Sequence, residues 1–148
     1  EETRLFASSN GEMFLTSPQH QVLATFDGPE MLTEIKFGPR KQMIGVSSMD
    51  HSASLYELNE GAIDAKFHLR EHNGILNDLA WSPDGRTVAT ASSDSSVRLW
   101  NVATGQRIFK LEPKKTAACL CVAFSLDGRY LAFGTAEGEL VVIHAPLE

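Results

Sequence analysis

Short apolar stretches alternate with clusters of Pro, Asp, Ser and Gly along the chain, and this pattern predicts β-strands joined by tight turns. Three of these stretches align with one another: Ile35-Lys36-Phe37-Gly38-Pro39-Arg40, Leu79-Ala80-Trp81-Ser82-Pro83-Asp84-Gly85-Arg86 and Val122-Ala123-Phe124-Ser125-Leu126-Asp127-Gly128-Arg129. Their aromatic residues, Phe37, Trp81 and Phe124, are 44 and 43 residues apart. Because large apolar residues recur at this spacing just before each turn, we expect these three side chains to be equivalent buried anchors.

The repeat continues beyond the first turn of each copy. A second turn follows at Asp50, Asp94 and Glu137, which are again 44 and 43 residues apart. The predicted second strands are Met43–Ser47, Thr87–Ser92 and Tyr130–Thr135, the third strands are Ser54–Leu58, Val97–Val102 and Leu140–His144, and the fourth strands are Ala62–Leu69 and Gln106–Leu111. Four short antiparallel strands in each 43–44 residues are typical of a β-propeller blade.

The N-terminal stretch fits the same repeat but starts part-way through a unit. Its predicted second, third and fourth strands are Arg4–Ser8, Met13–Thr16 and Gln21–Phe26, with a turn at Ser9-Asn10-Gly11. We therefore predict an all-β chain with one propeller segment over residues 1–148. It is divided into a partial blade at about 1–30, complete blades at about 31–70 and 71–113, and a partial blade at about 114–148.

Composition and charge narrow the function classes. The 148 residues are 43% hydrophobic and 22% charged, which is typical of a folded globular chain. The net charge is -6, and residues 1–75 hold 6 Lys/Arg against 11 Asp/Glu. Direct nucleic-acid binding is not expected, because phosphate neutralisation needs clustered basic side chains. No apolar run approaches the roughly 20 residues that span a bilayer, so we expect no membrane contact and an intracellular location, cytoplasmic or nuclear.

The two cysteines, Cys119 and Cys121, lie on one predicted strand, where alternation would place both on the same face. A disulfide between such close neighbours would strain the backbone, and two thiols are too few for a structural zinc site. We expect both to be buried, inert core residues, with redox or metal use as the alternative. No metal and no cofactor is predicted.

Residues 72–102 carry the most specific motif. They contain His72-Asn73-Gly74, Leu79-Ala80-Trp81-Ser82-Pro83-Asp84-Gly85, Thr90-Ala91-Ser92-Ser93-Asp94 and Trp100-Asn101. This segment resembles a WD repeat, with Trp-Asn where the family usually has Trp-Asp. The resemblance implies a structural side-chain network that joins His72, Thr90 or Ser92, Asp94 and Trp100. It implies a propeller fold across nearly the whole chain, but the complete motif only in this blade.

The other copies depart from the motif. The position of His72 is occupied by Gly28 and Lys115, and the position of Trp100 by Thr16, Tyr56 and Ile143. Those blades are expected to lack the network and to be less rigid. A His, an Asp and a hydroxyl in one network also permit a hydrolytic interpretation, but no Gly-x-Ser-x-Gly turn and no oxyanion-binding segment accompany them. We predict no catalytic residues and no enzymatic activity.

The function predicted from the resemblance is a non-catalytic protein-protein interaction scaffold in a multiprotein complex. In such propellers the loops that enter each blade and the turns between second and third strands share one face. Here that face would carry Met49, His51, Glu71, His72, Asn73, Ser93, Ser95, Lys114, Lys115 and Glu137. The alternatives are a propeller-type enzyme, and a subunit of a nucleic-acid-associated complex without direct base contacts.

The predicted blades are too few for the 4–8 that close a propeller ring. Three explanations stay open: the chain is a segment of a longer propeller protein, a second copy or a partner chain completes it, or it closes alone with irregular blades. We expect that residues 1–148 do not close a ring by themselves, because both partial blades already contain a second and a third strand.

Overall fold

The computed structural model describes residues 4–8, 11–39, 42–59 and 62–144. The strands of these residues are β1 (Arg4–Ala7), β2 (Glu12–Thr16), β3 (Val22–Asp27), β4 (Leu32–Phe37), β5 (Met43–Ser48), β6 (Ala53–Asn59), β7 (Ala62–Leu69), β8 (Leu76–Trp81), β9 (Thr87–Ser92), β10 (Ser96–Asn101), β11 (Arg107–Leu111), β12 (Cys119–Phe124), β13 (Tyr130–Thr135) and β14 (Leu140–His144). No helix long and apolar enough to cross a membrane occurs in the described part of the chain.

The strands form four antiparallel sheets in chain order. Sheet 1 contains β1 to β3, sheet 2 contains β4 to β7, sheet 3 contains β8 to β11, and sheet 4 contains β12 to β14. The all-β prediction with four-stranded antiparallel units is confirmed, and the predicted ends of the second, third and fourth strands agree with the structure to within one residue. Ser9 and Asn10 of the first predicted turn, and Arg40 of the first aligned segment, lie outside the described residues.

Turn chemistry explains why each first strand ends where it does. In sheet 3 the Ser82 hydroxyl donates to Asp84 (2.6 Å), and the same Asp84 oxygen accepts the Arg86 N–H at 3.0 Å. Gly85 takes a φ of +72°, which a side chain would make costly. The equivalent turn of sheet 4 repeats these bonds at Ser125 and Asp127.

The core consists of three apolar clusters, each between two successive sheets. Between sheets 2 and 3, for example, Leu55 and Leu69 pack against Leu79 and Trp100. Equivalent clusters lie between sheets 1 and 2 and between sheets 3 and 4. This arrangement follows from strands that carry apolar residues on both faces, because sheets 2 and 3 are each covered by a neighbouring sheet on either side.

The three aromatic anchors need a correction. Phe37, Trp81 and Phe124 pack at the margins of the three clusters, but each is half-buried and not fully buried. The reason is their place at the end of the first strand, where the ring reaches the sheet edge. Trp81 still joins two sheets, since its indole N–H donates to the carbonyl of Lys36 in β4 at 3.2 Å.

Asp78 connects the first strands of three successive sheets. Its carboxylate lies 2.6 Å from the Lys36 ammonium of sheet 2 and accepts the Val122 N–H of sheet 4 at 2.9 Å. The first strands β4, β8 and β12 therefore lie side by side.

Candidate functional site

A chain of hydrogen bonds crosses sheet 3 and ends at its surface turn. The Trp100 indole N–H donates to the Thr90 hydroxyl oxygen (2.9 Å), which lies 2.8 Å from Nε2 of His72. The opposite nitrogen, Nδ1 of His72, lies 2.9 Å from Oδ2 of Asp94. Thr90 and the side chain of His72 are fully buried, and Trp100 is 2% exposed. The network links the third strand of the sheet to the turn between its second and third strands.

The donor directions of this network require a neutral imidazole. Asp94 accepts from Nδ1, so Nε2 has a free lone pair that accepts the Thr90 hydroxyl proton. A second imidazole proton would leave the Thr90 hydroxyl without its acceptor. Burial also lowers the pKa of His72, and this effect outweighs the attraction of the Asp94 carboxylate.

The carboxylate of Asp94 accepts hydrogen bonds from three residues, Ser96, Asn73 and His72. One oxygen accepts the N–H (3.0 Å) and the hydroxyl (2.6 Å) of Ser96, and the other accepts the Asn73 N–H at 3.1 Å. Burial would raise the pKa of Asp94, but the bonds from Ser96, Asn73 and His72 lower it to about 2. The entry segment of the sheet and the turn are therefore fixed to one side chain.

Of the two hydroxyl candidates, the structure brings Thr90 and not Ser92 to the imidazole. Ser92 instead donates to the Gly74 carbonyl (2.9 Å) and accepts the Asp94 N–H (3.1 Å). The reason is strand alternation, which keeps Thr90 and Ser92 on one face but two positions apart, so that Ser92 reaches the turn. Both residues support the same loop, by different bonds.

Thr90, His72 and Asp94 have the geometry of a hydrolytic triad, but their surroundings prevent that chemistry. Thr90 is completely buried, and its oxygen already accepts from Trp100. A nucleophile must reach a substrate carbonyl, and the Thr90 hydroxyl has no surface exposed to solvent in the described part of the chain. The arrangement holds the loop in place.

Sheet 2 replaces the polar network with apolar packing. At the positions of His72, Thr90 and Trp100 it has Gly28, Val46 and Tyr56. A Cβ on Gly28 would lie only 2.3 Å from the terminal methyl of Met13, which is fully buried. Met13 of sheet 1 therefore fills the space that an imidazole occupies in sheet 3.

The entry segments and the second turns of the sheets lie at one edge, as the resemblance to a WD repeat implies. The N–H groups of Met49, Ser93 and Ala136 in the turns donate to the carbonyls of Met31, Ile75 and Ala118 in the entry segments, at 3.0, 2.8 and 2.9 Å. The Asn77 amide also donates to Ser93 (3.1 Å) and to the Cys119 carbonyl (2.9 Å), which joins sheets 3 and 4 at this edge. We call the surface formed by these entry segments and turns the loop face.

Most of the predicted face residues have exposed side chains. The exposed ones are Met49, His51, Glu71, Asn73, Ser93, Lys114, Lys115 and Glu137, whereas Ser95 is half-buried. The prediction that His72 belongs to the binding face needs a correction, because this residue is 6% exposed and both of its ring nitrogens are hydrogen-bonded within the sheet. It supports the loop face from beneath and offers nothing to a partner.

Sequence reasoning missed an ion-pair cluster beside the network. Glu71 lies 3.2 Å from Arg98 and 3.0 Å from Arg107, and Arg98 lies 3.6 Å from Asp94. Arg98 is 5% exposed, and its Nε has no hydrogen-bond partner among the described residues. Arg98 lies on β10 opposite Thr90 of β9, so strand alternation places both side chains on the same face of the sheet. This pairing is the feature of the sequence from which the position of Arg98 could have been predicted.

The cysteine prediction is half wrong. Cys119 is buried, and burial raises its pKa to about 11, but Cys121 is exposed. The cause is a β-bulge between the two residues, which breaks the alternation that the prediction assumed. No group of three or more His, Cys, Asp or Glu residues suited to a metal occurs among the residues that the structure describes.

Comparisons with known proteins identify the repeat. Residues 64–101 match the family model described as WD domain, G-beta repeat. Elongator complex protein 2 of Schizosaccharomyces pombe is 26% identical over 95% of this chain, and the small ribosomal subunit protein RACK1y of Oryza sativa subsp. japonica is 30% identical over 70%. THO complex subunit 3 of Arabidopsis thaliana is 30% identical over 65%. The matched regions cover 22%, 30% and 31% of these relatives, so the chain spans less than a third of their length.

Proposed function

Because this chain belongs to the WD-repeat family and has the sheets of its β-propellers, we propose that it is a non-catalytic scaffold whose loop face binds other proteins in a multiprotein complex. The names of the relatives support an assembly role, since they include an Elongator complex protein and a THO complex subunit. The same names, with that of a small ribosomal subunit protein, support an intracellular location in the cytoplasm or the nucleus.

The observation that carries the proposal is a surface of exposed side chains on rigid supports. Asn73 and Ser93 are exposed, yet their backbones are tied to Asp94 and Ile75 by hydrogen bonds. Polar side chains on a fixed backbone can bind a partner with little loss of conformational entropy. The buried network beneath them is the support.

The charge of the chain favours protein partners over nucleic acid. The net charge is -6, and two of the basic residues near the loop face, Arg98 and Arg107, are paired with Glu71. Arg70, Lys114 and Lys115 are exposed cations of this region, and so few charges do not make an extended phosphate-binding surface.

Completion of the propeller belongs to the same proposal. Sheet 1 lacks a first strand and sheet 4 lacks a fourth strand within the described residues. Unpaired edge strands recruit other strands, so flanking sequence, a second copy or a partner chain would complete these sheets.

The experiment compares the loop face with the opposite edge of the sheets. Because neighbouring strands are antiparallel, the turns between first and second strands lie at that opposite edge, and Leu126 in one of them is 99% exposed. Tagged chains that carry Asn73→Arg, Glu137→Arg or, as the matched control, Leu126→Arg are purified from cells, and the bound proteins are quantified by mass spectrometry. We expect roughly tenfold less of a common set of proteins with either face variant. An unchanged set with both face variants, or a loss with Leu126→Arg alone, would contradict the proposal.

A further inference from the structure

Four residues other than glycine have a left-handed backbone in the described part of the chain. They are His20, Met31, His51 and Ser95, with φ angles of +64°, +56°, +72° and +64°. A side chain makes this conformation costly, whereas glycine adopts it freely. Three of the four lie on the loop face, Met31 in an entry segment and His51 and Ser95 in turns between second and third strands. Backbone strain of this kind is therefore concentrated at the proposed binding surface.

His51 and Ser95 occupy the same position of the repeat. Each directly follows the aspartate of its turn, Asp50 or Asp94. The equivalent residue of sheet 4 is Gly138, with a φ of +80°, and a Cβ added there would meet no atom within 4 Å. The turn therefore forms with glycine, although space at this position does not require one. Sheets 2 and 3 carry side chains where glycine would serve the turn at a lower cost.

Neither side chain offsets this cost by a polar contact within the described residues. The His51 ring is exposed and makes no hydrogen bond or ion pair there, and the hydroxyl of the half-buried Ser95 makes none either. The turns are held instead by the carboxylates of Asp50 and Asp94. Side chains that strain the backbone and hold nothing in place are typical of functional sites.

The surroundings of these two turns do not depend on how far the chain extends. Sheets 2 and 3 each have four strands and a neighbouring sheet on either side. Repeat units stack on their neighbours, so further sheets would pack against sheets 1 and 4 and would leave both turns uncovered.

We propose that His51 and Ser95 are contact residues of the loop face, whose imidazole and hydroxyl form hydrogen bonds with the partner protein. The inference rests on the proposed scaffold function and names two of the exposed positions that determine its specificity. An imidazole and a hydroxyl can both donate and accept hydrogen bonds, so the partner segment that fits them presents polar main-chain or side-chain groups. Exchange of such a residue for glycine changes stability and binding in different directions.

Glycine variants separate binding from folding. In His51→Gly and Ser95→Gly the backbone strain is relieved, so the midpoint of urea unfolding should be unchanged or higher. The variants are made in the longest natural polypeptide that contains these residues, and the bound proteins are quantified as for the Asn73 and Glu137 variants. We expect roughly tenfold less of the common set with His51→Gly, and a loss in the same direction with Ser95→Gly.

His20→Gly is the matched control. His20 is an exposed histidine with the same kind of backbone, but it lies in the turn between β2 and β3, at the edge of the sheets opposite the loop face. Its exchange for glycine should relieve the strain to a similar degree and leave the bound proteins unchanged.

Two further variants test the physical reason for the effect. His51→Asn keeps a hydrogen-bonding side chain that tolerates a left-handed backbone, so it should retain most of the binding that glycine loses. Gly138→Ser adds a side chain in open space at the equivalent position of sheet 4, so it should lower the urea midpoint through strain alone.

Three results would overturn the inference. A lower urea midpoint for both His51→Gly and Ser95→Gly than for His20→Gly would show that the two side chains hold the fold or a flanking segment in place. An equal loss of bound proteins with His20→Gly would show that the loop face is not the cause. Unchanged binding with both loop-face glycine variants would exclude the two contacts. If Asn73→Arg and Glu137→Arg still reduce binding, only this inference fails, and if they do not, the proposed function fails with it.

Discussion

Replacing Asp94 with alanine is expected to lower the free energy of unfolding by about 1–3 kcal/mol, the cost of leaving buried polar groups unpaired. Asp94 accepts from Ser96, Asn73 and His72, and its removal leaves Nδ1 of a buried imidazole with only the Ser96 hydroxyl, at 3.5 Å, among the described residues. Equilibrium unfolding in urea measures the loss.

Asp50→Ala is the matched control. Asp50 holds the equivalent turn of sheet 2, where it accepts from the N–H and hydroxyl of Ser52, at 2.9 and 2.6 Å. It has no counterpart of the His72 imidazole, because Gly28 occupies that position. We expect a clearly smaller loss than at Asp94, and equal losses at the two sites would show that the network adds no stability.

Acid provides a second measurement of the same network. The pKa of Asp94 is lowered from 3.8 to about 2, so its contribution is complete above pH 4 and is lost as the pH falls towards 2. Burial lowers the pKa of His72 below its usual value of 6.5, so the unfolded chain binds a proton at this imidazole before the folded chain does, and stability already decreases as the pH falls below about 6.5. His68 contributes in the same direction. The variant His72→Gln should therefore show a shallower decrease between pH 7 and 5 than the parent chain.

Trp100→Ala is expected to cause the largest loss, about 3–5 kcal/mol, because a large side chain leaves a well-packed core. Trp100 is 2% exposed between sheets 2 and 3, and its N–H donates to Thr90. Trp100→Phe removes the hydrogen bond but only part of the ring volume, so its loss should be smaller than that of Trp100→Ala.

Trp81→Ala is the comparison for this prediction, and its loss should be smaller because Trp81 is half-buried at the end of β8. Both variants are measured by the same urea unfolding. A greater loss at Trp81 than at Trp100 would mean that the aromatic residues before the turns, and not the network side chains, determine the stability of the sheets.

The repeat made the fold predictable because spacing fixes the strand pattern. Four strands in each 43–44 residues, with Asp84 and Asp127 in their turns, determine the sheets almost to the residue. The resemblance to a WD repeat also implied the contact between His72 and Asp94, but not the bonds that Asp94 accepts from Ser96 and Asn73.

Features that depend on local irregularity were not predictable. The bulge before Cys121 exposes a thiol that regular alternation would bury, and nothing in the Cys-Leu-Cys sequence indicates a bulge. The burial of His72 beneath the loop face depends on how close the entry segment lies to Thr90, and the spacing of the motif does not give that distance. Met13 fills the space above Gly28 from another sheet, and such a contact is visible only in the folded chain.

Photo-crosslinking from single positions tests the central claim, that the loop face is the protein-binding surface. A benzophenone side chain is placed at one of three exposed positions. Met49 and Ser93 lie on the loop face, and Leu126 lies at the opposite edge of the sheets. The chain is irradiated within its native assembly, and the attached proteins are identified by mass spectrometry. The account predicts that Met49 and Ser93 attach to the same partner and that Leu126 does not. Attachment of that partner from Leu126, with none from Met49 or Ser93, would contradict it.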